Sequence, residues 1–95
     1  MILKFDWDQW NIQKNEAKHG ISRLEAESLF FDKDLVLFKD EVHSTEKEMR
    51  WIGYGKSTNK KILMCAFTIR NQKIRIISCR SASVKERDIY EKSKK

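Results

Sequence analysis

Three apolar-rich runs separated by only a few residues constrain this chain most. RWIGYGKS (50–57), KILMCAFTI (61–69) and KIRIISCR (73–80) carry the β-branched and aromatic residues that suit extended backbone. TNKK separates the first pair and RNQ the second. Gaps this short leave no room for a crossover helix, so neighbouring runs pair antiparallel as hairpins. A fourth run, DLVLF (34–38), precedes them across the charged connector KDEVHSTEKE. The expectation is a mainly antiparallel four-stranded sheet.

The residues before the sheet read as helices. ILKFDW reads as a short opening strand anchored by Ile2, Leu3 and Phe5. DQWNIQKNEAKHG reads as a helix with Asp8 as N-cap and Gly20 at its stop, and Lys18 and His19 lie in the last turn, where the dipole favours cations. Trp7 and Trp10, three apart and so roughly on one helix face, read as core ahead of a base-stacking platform. Ser22 and Glu25 form an S-x-x-E capping box that opens a second helix, with Leu24, Ala26, Leu29 and Phe30 as its apolar face. Ser83 and Glu86 repeat the box and open a final helix through about Lys92. The order β-α-α-β-β-β-β-α predicts one α+β domain over residues 1–95, with the helices on one sheet face. The final helix offers only Val84, Ile89 and Tyr90 as sizeable apolar groups, so it packs lightly on its own domain or against something else.

Composition narrows the function classes. No run approaches the roughly 20 apolar residues of a membrane span, and the N-terminus lacks a signal-peptide core, so a cytoplasmic protein without membrane contact is expected. Cys65 and Cys79 lie in apolar runs without CxxC spacing and read as buried, reduced thiols. Nothing matches H-E-x-x-H, Cys/His ligand spacing, a P-loop, GxGxxG or GxSxG, so no metal or cofactor is expected. Residues 1–69 hold 11 Lys+Arg against 11 Asp+Glu, and residues 70–95 hold 9 against 3, which gives the whole +6. Such asymmetry points to an anionic partner or to a solvated basic tail.

FDWD (5–8), KHGIS (18–22), HSTEKEMRWIGYG (43–55) and RIISCRSASVKERDIYE (75–91) stand in this order along nearly the whole chain. Together they resemble the BrnT toxins of type II toxin–antitoxin systems. The resemblance implies a RelE-like fold and a ribonuclease that arrests growth by cleaving cellular RNA. It also implies a BrnA-type ribbon-helix-helix antitoxin that neutralises the toxin, with operator DNA contacted only through that antitoxin.

Metal-free RNA cleavage needs a base for the 2′-OH, an acid for the leaving 5′ oxygen, and cations on the phosphate. Arginine suits the last role because its planar fork grips two phosphate oxygens and stays charged. Arg50, Arg75 and Arg80 lie on or beside predicted strands and Arg87 on the last helix. Strict alternation sends Arg75 and Arg80 to opposite faces unless a bulge intervenes. Arg50 and Arg80 are the favoured phosphate pair, each with a surface salt bridge as its plain alternative, for example Arg50 with Glu46 or Glu48. His19 and His43 are the acid/base candidates. Failing them, Glu48 serves as base and Lys18 or an arginine as acid. Lys18, Arg75 and Arg87 are the candidate RNA contacts. Tyr90 reads as core ahead of a base-stacking role. Two other readings fit the charge and size: a nucleic-acid-binding module without catalysis, and a decayed toxin that only holds its antitoxin.

Overall fold

A computed structural model describes residues 3–94. In chain order they form α1 (Gln9–His19), α2 (Arg23–Ser28), a 3₁₀ turn (Leu29–Phe31), β1 (Val36–Lys39), β2 (Arg50–Lys56), β3 (Ile62–Arg70), β4 (Lys73–Ser81) and α3 (Val84–Ser93). The strands make one antiparallel sheet in sequence order, β1-β2-β3-β4, as the short gaps require. Between β3 and β4, Asn71 and Gln72 both take left-handed backbone, φ 51 and 65, the geometry of a two-residue type I′ hairpin.

The predicted opening strand does not form among the described residues, and Ile2 lies outside them. Phe5 makes one parallel bridge to Ile74, with Asp6 N–H donating to the Ile74 carbonyl and Ile74 N–H to that of Lys4, both at 2.8 Å. Asp8 already caps α1 by accepting from Trp10 N–H, so too few residues remain for a ladder.

One face of the sheet holds the core. Ile21, Ala26 and Leu29 from the helical corner pack on Leu63, Cys65, Phe67, Ile76 and Cys79. Gly20 ends α1 with φ 67, a left-handed cap that only glycine adopts without strain. At Gly55 the 3₁₀ turn comes so close that a Cβ would lie 3.0 Å from both the Leu29 carbonyl oxygen and Leu35 Cδ1. Two predicted core residues lie outside this cluster. Leu24 is 72% exposed, because the short α2 turns Glu25 and Ala26 inward instead. Trp10 is 69% exposed, while Trp7 precedes the helix and donates its indole N–H to Glu27 at 2.7 Å.

The helices do not all cover one face. α1 lies along β4, α2 and the 3₁₀ turn cover the core face, and α3 packs on β2 over the other face. Only Tyr90 of α3 is fully buried, and Val84 points to solvent. Tyr90 donates its hydroxyl to Asp32, which also accepts from Lys56 N–H at 2.8 Å. These bonds outweigh the cost of burial and hold the Asp32 carboxyl below its usual range, while burial and Asp32 push the Tyr90 phenol up.

Cys65 and Cys79 face each other across β3 and β4, both free and fully buried. Burial pushes the Cys65 thiol up, and Cys79 adds to the rise. Cys79 N–H points away from β3 and donates to Asn15 Oδ1 of α1 at 2.7 Å. The outer edge of β4 is thus occupied by α1 and by the Phe5 segment, whereas β1 pairs only with β2.

Candidate functional site

The second face of the sheet is organised in rows by strand register. Val36, Tyr54, Met64 and Arg80 form one row, Phe38, Ile52, Ala66 and Ser78 the next, and Arg50, Thr68 and Arg75 the third. The pairing shifts between Ala66 and Phe67: Ala66 faces Ser78 but Phe67 faces Ile76, so Ile77 is an extra residue. That bulge reverses the alternation. Arg75 and Arg80, five apart, therefore rise from the same face. The register sets Arg50 four residues along and two strands across from Arg80, roughly 16 Å at ordinary sheet spacings. Only side chains extended toward each other would share one phosphate in this arrangement.

A cleft of about 270 Å³ opens where α1 runs beside β4, lined by Lys14, Asn15, Lys18, His19, Ile77 and Ser78. Helical spacing explains the set. Asn15 and His19, four apart, turn toward the strand, while Lys14 and Lys18, also four apart, flank them toward solvent. Asn15 fixes the wall twice, accepting from Cys79 N–H and donating from Nδ2 to the Ile21 carbonyl at 3.3 Å. His19 is held below its ordinary pKa of 6.5 by burial, then by the charges of Lys18 and Arg80. All three effects disfavour the protonated imidazole, against the helix end, which favours a cation.

Arg80 does not line this cleft, but its charge reaches His19, and the capping box of α3 holds its side chain. Its Nη1 donates to Glu86 Oε1 at 2.8 Å and to the Ser81 carbonyl at 3.1 Å, and its Nη2 to Glu86 Oε2 at 3.0 Å. Glu86 is itself fixed, because Oε1 also accepts from Ser83 N–H at 2.8 Å. The bond from Arg80 lowers the Glu86 pKa, and Glu86 raises that of Arg80. A guanidinium has five N–H groups. Those left over, Nε–H and the second Nη2–H, lie side by side on one edge and can grip two oxygens of a phosphate.

The remaining candidates lie apart. His43 is exposed in the connector, its Nδ1 2.8 Å from Asp40. Glu48 accepts from Arg70 Nε at 2.9 Å and Nη2 at 2.7 Å, and so is not Arg50's partner. Arg50 makes no ion pair among the described residues. Arg75 bridges Asp6 at 3.2 Å and Asp8 at 3.3 Å. Arg87 is exposed on α3 beside Lys60 and Lys61, around a separate cleft of about 300 Å³. The basic tail is only partly neutralised within the fold: Arg70 and Arg75 pair with Glu48, Asp6 and Asp8 from outside it, while Arg80, Lys92 and Lys94 pair with the tail's own acids. Among the described residues, the cations at the cleft without an ion pair are Lys14 and Lys18, from the segment whose charges cancel in sequence. Sequence reasoning passed over Lys14, Asn15, Ser78 and Glu86. The signals for two of them were present, Lys14 at i−4 from Lys18 and Glu86 in its S-x-x-E box.

Comparison with known proteins bears on this geometry. The family described as the ribonuclease toxin BrnT of type II toxin–antitoxin systems matches residues 7–86, a span that includes the cleft, Arg80 and Glu86. The fold is similar to the 1.1 Å crystal structure of the Brucella abortus ribonuclease toxin BrnT, with a TM-score of 0.62 and 26% identity, over 86% of this chain and 99% of that one. No curated protein matches the chain. The α+β fold and the family match agree, and the chain belongs to the BrnT family of ribonuclease toxins of type II toxin–antitoxin systems.

Proposed function

We propose that the whole chain acts as one metal-independent endoribonuclease domain whose reaction is carried by Arg80, His19 and Lys18. The observation that carries this reading is the free edge of the Arg80 guanidinium, pinned by Glu86 within charge reach of His19. Arg80 grips the scissile phosphate and stabilises the charge that builds on it. A ring nitrogen of His19 takes the 2′-OH proton. The 2′ oxygen attacks phosphorus, the bond to the 5′ oxygen breaks, and Lys18 supplies the proton that oxygen needs. The products are a 2′,3′-cyclic phosphate and a 5′-hydroxyl. The lowered His19 pKa suits a base near neutral pH. The cations around the cleft disfavour a divalent metal there and favour a polyanion. An RNA substrate implies a cytoplasmic site of action.

The protein partner in this reading is a BrnA-type ribbon-helix-helix antitoxin, which binds operator DNA and brings the toxin to it only indirectly. Family membership supports a protein antitoxin. Co-purification with the product of the neighbouring reading frame tests its type.

The enzymatic reading is tested by incubating the antitoxin-free protein with total RNA and with ribosomes, with and without EDTA. Cleavage that survives EDTA and is lost in Arg80→Ala is expected. Intact RNA with a folded wild-type protein, or full cleavage by a folded Arg80→Ala variant, overturns it.

A further inference from the structure

We infer that Trp10 is a stacking platform for an unpaired RNA base at the far end of the α1 cleft. The inference rests on the RNA-cleaving reading and extends it to a binding residue that the chemistry does not use. Trp10 is 69% exposed although it is the kind of residue a small core would take in, and Trp7 and Trp51 are both partly buried against the core. It makes no side-chain hydrogen bond and no aromatic contact among the described residues. Its place on the helix is the telling part. Trp10, Lys14 and Lys18 follow at intervals of four, so they form one solvent-facing stripe with a rise of about 6 Å per step. Lys14 and Lys18 line the cleft, so the stripe leads from the cleft mouth to the indole.

The spacing suits a single strand. Lys18 to Trp10 spans about 12 Å along the helix, the rise of three to four stacked nucleotides at ~3.4 Å each. An exposed aromatic in line with unpaired lysines is the arrangement that binds single-stranded nucleic acid: cations track the backbone and the ring takes a base face. A protein partner would also use a tryptophan, but the flanking lysines favour a polyanion. Stacking tolerates any base, so Trp10 adds affinity and register without strict sequence choice.

The experiment is a titration with a cleavage-resistant 2′-O-methyl oligonucleotide of about ten residues, read by tryptophan fluorescence and by anisotropy. The oligonucleotide is expected to quench wild-type emission, and Trp10→Phe to abolish most of the quenching while keeping affinity within about threefold. Trp10→Leu, which keeps an apolar group without a comparable π-face, is expected to bind about tenfold more weakly. An abasic oligonucleotide of equal length is expected to bind wild type about tenfold more weakly than the base-carrying one, and the leucine variant to lose that discrimination. Undiminished affinity in Trp10→Leu, with wild-type RNA binding intact, overturns the stacking role alone. So does a leucine variant that binds RNA normally but loses its antitoxin, which would make Trp10 a protein contact. A folded wild type without RNA affinity overturns the stacking role and the cleavage reading together.

Discussion

The chain opens two helices with the same S-x-x-E signal, and the two glutamates go separate ways. At α2, Ser22 accepts from Glu25 N–H, but the Glu25 carboxylate does not return to its own cap. It crosses to the β2–β3 hairpin and accepts from the buried Ser57 hydroxyl at 2.9 Å. At α3 the box is complete, and the Glu86 carboxylate holds both its own N-cap and the Arg80 guanidinium. The shared half of the motif, serine to backbone, fixes where a helix starts. The fate of the carboxylate depends on what the fold brings within reach. One glutamate ends up tying helix to sheet, and the other orients an arginine.

The sharpest break between the two sites is expected at Arg80. Arg80→Ala should lower RNA cleavage by 10²–10³-fold, the loss typical of removing one donor to a transition-state charge. Its urea midpoint should shift little, because the half-exposed guanidinium adds little to the core. Glu25→Ala should do the opposite. It strands the Ser57 hydroxyl inside the protein and should cost roughly 1–3 kcal/mol of stability in urea melts, with cleavage per folded molecule unchanged.

Glu86→Gln sharpens the comparison, because glutamine still completes a capping box but holds the guanidinium without charge. Cleavage is expected to fall roughly tenfold, about 1.4 kcal/mol in barrier, with α3 intact by circular dichroism. The same variant has a pH signature. Glu86 has a folded pKa below its ordinary 4.5, so its contribution is present above that value and is lost as pH falls through the lowered one. Acid titration of stability should therefore be shallower in Glu86→Gln than in wild type below about pH 4.5. The smallest effect concerns His19. Its ring signals should titrate below 6.5 in NMR, and Lys18→Met should move that midpoint upward by removing a neighbouring charge. An unmoved midpoint would place Lys18 too far from the ring to act with it.

Much of the fold was legible because its signals are local. Asp8, Ser22, Ser83 and Gly20 mark helix ends through bonds to residues within four positions, and short gaps force hairpins. The site was legible only in part. Lys18 and His19 were marked by their place in a helix's last turn, and Arg80 by its place at a strand end. The bulge at Ile77 was not readable, because KIRIISCR alternates equally well with or without an extra residue, and the register is set by β3. The charge asymmetry agrees with a ribonuclease family, but where the charge ends up was not readable, for a related reason. Arg70 and Arg75 find their acids in Glu48, Asp6 and Asp8, far away in sequence, so part of the tail's excess charge on paper is offset in space. Leu24 and Trp10 fit a helical stripe by spacing, but α2 is too short to bury it and α1 meets the sheet along its other side.

The bond from Cys79 N–H to Asn15 also sets the valence of the molecule toward other strands. An open sheet ordinarily has two free margins, and copies that can join at both can propagate into a fibre. Here one margin is spent on the protein's own α1 and N-terminal segment, which leaves β1 as the margin that can still accept a strand. A body with a single such margin can pair once and then stops. The molecule is thereby guarded against strand-by-strand polymerisation.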